Sequence, residues 1–122
     1  MSNNVIHPGR VLRAFIEFLL LSKSSAASHL GVSRATLFRI LGEDGRITTD
    51  VAMRLERALH VPALYWLQRQ AEFDIQQAAN SGDYQGISRL KSSSETCDAL
   101  SLAEGIVTAD YGHTDLEALQ ID

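Results

Sequence analysis

The twenty residues from Lys23 to Gly42 constrain this chain more tightly than any other stretch. Ala26, Ala27 and Leu30 recur at helical spacing before Gly31, and Leu37, Ile40 and Leu41 do so after it. Ser22 and Ser33 each stand where a side-chain oxygen can cap the helix that follows. Two short helices joined by a tight turn cross steeply only under three conditions. Their inner positions must be apolar, one contact residue must be small, and the turn must tolerate an unusual backbone conformation. Ala27 is the small contact and Gly31 the turn residue, while Ala26, Leu30, Val32, Leu37 and Ile40 fill the apolar positions. That pattern fits a helix-turn-helix; a generic corner between two core helices is the competing fit.

The flanking segments are helical too. Pro8 suits a first helical turn, and Val11, Leu12, Phe15, Ile16 and Leu19 repeat at helical spacing. After the polar turn Glu43-Asp44-Gly45-Arg46, Thr48 can cap a helix with Val51, Ala52, Leu55, Ala58 and Leu59 on its inner face. Pro62 opens another, through Trp66, Leu67, Phe73 and Ile75 to about Ala79. No alternating apolar run is long enough for a strand. The expected fold is all-α: a five-helix body over residues 1–79 and an acidic, partly helical extension over residues 80–122. In the extension, Ala99, Leu102, Ala103 and Ile106 keep helical spacing, and Thr114-x-x-Glu117 reads as a capping box.

With 122 residues there is room for a single small domain and an appendage. One cysteine, Cys97, excludes an internal disulfide framework and any multi-cysteine metal site, which suits a reducing cytosol. The longest apolar run, Phe18-Leu19-Leu20-Leu21, is far too short to span a bilayer. Although Arg10 and Arg13 precede it, Glu17 interrupts any resemblance to an export signal. A cytoplasmic, nucleoid-associated protein without a membrane role is the expectation.

The net charge of −4 hides an uneven distribution. Residues 1–79 hold nine basic and seven acidic side chains, net +2; residues 80–122 hold two and eight, net −6. No acid lies between Glu17 and Glu43, a window that contains Lys23, Arg34 and Arg39. Such a window marks a local anion-binding face. In a helix-turn-helix the second helix enters the major groove with its N-terminal side chains against base edges. Those side chains are Ser33, Arg34, Ala35, Thr36, Phe38 and Arg39. The forked guanidinium of Arg34 suits a guanine edge, Thr36 a base or phosphate, and Phe38 a thymine methyl. Lys23 and the helix starts at Ser22 and Ser33 suit phosphates. Arg39 fits a solvated or phosphate-touching role as well as base readout, and Phe38 fits a dimer or core contact as well as readout.

Other chemistry has little support. The serines lack a base at workable spacing, no glycine loop can cradle a nucleotide, and His113 between Asp110 and Asp115 is a chance triplet of a polar turn. His7, His29 and His60 fall at helix ends or faces, where capping or surface roles suit them. Neither enzyme activity nor a cofactor or metal is expected. Trp66, Gln70 and Phe73 share one side of the last body helix and are the expected dimer seam, with burial in the monomer core the competing fit for Trp66.

Leu21 through Gly42 resembles the helix-turn-helix of the λ-repressor-like (Xre) superfamily, and the flanks narrow this to HigA/VapI-type antitoxins. The marks are His7-Pro8-Gly9, Arg34-x-Thr36-Leu37, Ile47-Thr48-Thr49-Asp50 with Arg54-Leu55, and Trp66-Leu67-x-x-Gln70-x-x-Phe73-Asp74-Ile75, over about residues 5–79. The resemblance implies a compact domain that dimerises on an operator inverted repeat in its own promoter. It also implies neutralisation of a small basic RelE-like, mRNA-cleaving toxin of the HigB kind. A solitary regulator without a toxin, or an interaction module that has lost DNA binding, are the alternatives. Two positions depart from the pattern: Arg10 replaces a usual Glu, and Gly42-Glu43-Asp44 replaces an Asn-Gly-Lys-like turn. Acids there are expected to weaken the hold on the DNA backbone. The acidic extension lies outside the pattern.

Overall fold

The computed structural model describes residues 5–90 and 99–108, and among these every regular element is an α-helix. They are α1 (Pro8–Phe18), α2 (Lys23–Leu30), α3 (Arg34–Leu41), α4 (Thr49–Leu59), α5 (Ala63–Ser81) and α6 (Ala99–Thr108). One compact unit runs to Gly86 and a second begins at Ile87. The boundary expected at 79/80 thus falls within the last turn of α5, where the Ser81 hydroxyl donates to the Gln77 carbonyl. Cys97, the His113 triplet and the Thr114–Glu117 box lie outside the described residues.

Three helices begin as their local chemistry predicts. Ser22, Ser33 and Thr48 are N-caps, and their side-chain oxygens accept from the backbone N–H of Ser25, Thr36 and Val51. α5 starts differently. Pro62 offers no side-chain cap, and the Ala63 N–H instead donates to Glu56 Oε1 of α4 at 2.7 Å. α2 ends on Gly31 in the left-handed region (φ 75°), and the Arg54 guanidinium of α4 covers its last turn by donating to the Leu30 carbonyl at 3.0 Å. A Cβ at Gly31 would stand 2.7 Å from that guanidinium, which could swing aside, so it is the left-handed backbone that favours glycine.

α1 begins on His7, which is buried. Its Nδ1 accepts from the Gly9 N–H at 2.8 Å, while Nε2 lies 2.9 Å from the Gly45 carbonyl. An amide only donates and a carbonyl only accepts, so the ring carries its proton on Nε2. One imidazole thereby caps α1, ties down the α3–α4 turn, and meets Phe73 of α5 edge-on at 4.7 Å.

The core joins Leu12 and Ile16 of α1, Ala26 and Ala27 of α2, Leu37, Ile40 and Leu41 of α3, Leu55 of α4 and Trp66 of α5. The apolar run at Phe18–Leu21 is the exposed turn between α1 and α2 rather than core. No described helix is long and apolar enough to cross a membrane.

Candidate nucleic-acid interface

The core fixes which side of α3 faces outward. Leu37, Ile40 and Leu41 point inward, so Arg34, Ala35, Phe38 and Arg39 form the opposite, exposed side. Arg34 and Phe38 are four residues apart and Ala35 and Phe38 three, which places them on one helical stripe. Ser33 is exposed at the start of α3, and Thr36 is half-buried beside it. The Ser33 hydroxyl donates to Thr36 Oγ1 at 2.8 Å, leaving the Thr36 proton to point elsewhere. Lys23, the first residue of α2, brings its ammonium to 5.5 Å from the centroid of the Phe38 ring. All seven side chains expected to touch DNA therefore lie on the α2–α3 unit, and the Lys23–Phe38 contact joins its two helices.

Electrostatics sorts the body's cations into two sets. Arg10, Arg46, Arg54 and Arg69 pair with Glu43, Asp74, Asp50 and Glu72, and Arg13 donates to the Leu41 carbonyl at 2.7 Å. Lys23, Arg34 and Arg39 make no ion pair among the described residues. The three cations of the acid-free window are all without a carboxylate among the described residues, as is Arg57 on α4. An anion approaching α3 meets charges that no carboxylate among the described residues neutralises.

The acids expected to weaken this face are not equivalent. Glu43 sits 3.3 Å from the Arg10 guanidinium, so one acid is compensated within the fold. Asp44 is exposed and makes no ion pair among the described residues. Sequence spacing could not reveal the Arg10–Glu43 contact, because it bridges 33 positions.

The expected seam on α5 needs correction, because two of its three residues face inward. Trp66 is fully buried between Phe15 and Tyr65, with ring centroids at 6.1 and 5.5 Å. Gln70 is 3% exposed; its Oε1 accepts from the Ile47 N–H at 2.7 Å, and its Nε2 donates to Asp74 at 3.0 Å. Asp74 in turn holds Arg46 at 2.6 Å. Phe73 is half-buried against His7. An apolar stripe on a helix has the same spacing whether it meets its own core or a second copy, and here its own core claims it.

No family profile matches the chain. It is 36% identical over 74 residues to virulence-associated protein I of Dichelobacter nodosus, an alignment covering 60% of this chain and 68% of that relative. The fold is similar to an addiction-module antidote protein of the HigA family from Coxiella burnetii. There the TM-score is 0.66 and the identity 30%, with 71% of this chain and 99% of that one covered. It is equally similar to the Pseudomonas aeruginosa antitoxin HigA solved with the higBA promoter. In that case the TM-score is 0.66 and the identity 32%, with 72% of this chain and 100% of that one covered.

Proposed function

Because the chain belongs to the HigA family of λ-repressor-like helix-turn-helix antitoxins, we propose that it binds an inverted repeat in its own promoter as a homodimer. By doing so it represses its operon, and it neutralises a small basic, mRNA-cleaving toxin encoded beside it. The observation that carries DNA binding is the outward side of α3. Arg34 and Arg39 stand there without carboxylate partners among the described residues, flanked by Ser33, Ala35, Thr36 and Phe38, with Lys23 across the turn. Similarity to an antitoxin solved on promoter DNA supports the same reading.

Readout divides among these residues by reach and charge. Arg34, at the first turn of α3, pairs bidentately with a guanine edge. Lys23 and the amides at the start of α2 take phosphates. Arg34→Ala is expected to cost about 1–3 kcal/mol on the operator and to relax specificity at one base pair. Lys23→Ala should weaken binding to unrelated DNA as well as to the operator and flatten the salt slope by about one. Fluorescence titration of promoter DNA at several salt concentrations separates the two, and the stoichiometry of the complex reports two chains per site. If neither substitution alters promoter binding, the assignment fails.

A single helix-turn-helix reads too few base pairs, so the paired half-sites call for a two-fold partner. With Trp66 and Gln70 turned inward, the seam moves to the other side of α5. Leu64, Gln68, Ala71 and Ile75 repeat there at helical spacing, and all four are exposed.

The acidic extension is the reading's second interaction surface. Every residue of α6 is exposed, including Leu100, Leu102, Ile106 and Val107, in a segment of net −6. An acidic segment with apolar anchors complements a basic RNA-cleaving protein. Truncation after Gly86 is expected to leave operator affinity unchanged and to abolish rescue of cells expressing the adjacent toxin. Full rescue by the truncated chain would remove this role.

A further inference from the structure

Phe38 is the one aromatic side chain of α3, and the fold does not need it. Leu37, Ile40 and Leu41 supply the core side of the helix, while the Phe38 ring is 45% exposed. A large apolar ring on the same stripe as Arg34 and Ala35 leaves apolar surface in water at the center of a cationic face. The ring is also not free to turn as it likes. Lys23 Nζ lies 5.5 Å from its centroid, a cation–π contact that pins the ring from the α2 side. The remaining surface of the ring is apolar and faces away from the protein.

We propose that Phe38 reads the C5-methyl group of a pyrimidine in the major groove, with Lys23 as the residue that positions the ring. The inference rests on the DNA-binding reading above and deepens it. Among the groups that base edges present in the major groove, the C5-methyl of thymine is the apolar one, and hydrogen-bonding side chains do not recognise it. A ring held beside Arg34 provides the matching surface. Lys23 ties this contact to the backbone, because a phosphate bound by its ammonium lies on the side of the ammonium away from the ring. Phosphate grip and methyl readout then share one register. A single deletion in this pair disturbs both.

The same methyl group occurs in thymine and in 5-methylcytosine, so Phe38 responds to either source. A promoter that carries thymine at the position is read through its sequence. One that carries cytosine is read only when methylated, and occupancy of the operator then follows DNA methylation.

The test uses the full chain and duplexes of its footprinted promoter in which each thymine in turn is replaced by deoxyuridine, which removes only the methyl. For the wild type, one position in each half-site is expected to lose about fourfold in affinity, the value of one buried methyl group. Phe38→Ala should bind with no difference between thymine and deoxyuridine at that position, and Phe38→Leu, which keeps an apolar side chain, should retain part of it. Lys23→Ala should shrink the thymine-to-deoxyuridine ratio as well as flatten the salt slope, and Lys23→Arg should restore both. A merely structural lysine would leave that ratio unchanged. Two further duplexes carry cytosine or 5-methylcytosine at the position. About fourfold tighter binding of the methylated one extends the readout to methylation, and equal binding of the two confines it to thymine. If wild-type protein binds the promoter in a salt-dependent way yet no thymine is sensitive, methyl readout is overturned while DNA binding stands. Sensitivity that survives in Phe38→Ala overturns the assignment to Phe38 and moves it to Ala35. Absence of promoter binding altogether overturns the reading on which the proposal rests.

Discussion

Gly9→Ala is expected to destabilise the helical body by about 3 kcal/mol or more, the largest effect of any single methyl in the chain. A Cβ at this position would stand 1.9 Å from the Ile40 carbonyl oxygen and 2.9 Å from its carbon. Both are backbone atoms in the last turn of α3, so no rotamer change relieves the overlap. Helix α1 must instead move away from α3, and the His7 cap, whose Nδ1 would lie 3.0 Å from the new methyl, moves with it. The sign is informative, because in an unobstructed helix the same change stabilises by about 1 kcal/mol. Gly105 in α6 has nothing within 4 Å and provides that control within the same chain. Against a total stability of about 5–15 kcal/mol for a domain of this kind, the loss at Gly9 brings the body close to unfolding. Thermal melts of Gly9→Ala and Gly105→Ala decide the matter; a Gly9→Ala melt equal to wild type would disprove the close approach.

Gln70→Ala should cost about 2–4 kcal/mol, well beyond what an interface glutamine would lose in an isolated chain. Its amide oxygen holds the Ile47 N–H in a buried setting, and removing it leaves that donor unpaired at about 1–3 kcal/mol, with the vacated volume added. Arg46→Ala beside it should cost under about 1 kcal/mol, since the guanidinium that pairs with Asp74 is largely exposed. Denaturant midpoints measured on both variants test the distinction. Equal effects would mean that the ion pair, not the buried amide, secures the loop between α3 and α4.

These two residues also mark where the sequence stops being readable. The caps at Ser22, Ser33 and Thr48 and the left-handed Gly31 were legible because each depends on chemistry within a few residues of itself. The outward face of α3 was legible too, since its inward stripe was apolar at helical spacing. His7 to Gly45, Gln70 to Ile47 and Gly9 to Ile40 span tens of positions, and periodicity carries no information about them. That is why Trp66 and Gln70 resembled a seam. The two departures at Arg10 and Glu43 looked independent for the same reason. In space they are one contact, with the signs of helix and turn exchanged relative to the pattern the chain resembles. Glu43 also occupies the left-handed region at φ 67°, where that pattern has glycine, a backbone strain of about 1–2 kcal/mol that an exposed pairing worth under about 1 kcal/mol offsets only in part.

Trp66 is the sole tryptophan of the chain, and it lies fully buried where α1, α4 and α5 meet. Its intrinsic fluorescence is therefore a built-in gauge of the body's own core: emission shifts when that core opens. Partner proteins, DNA and truncations can each be added to the unlabelled chain, and a change in that signal separates loss of the body from loss of a contact elsewhere.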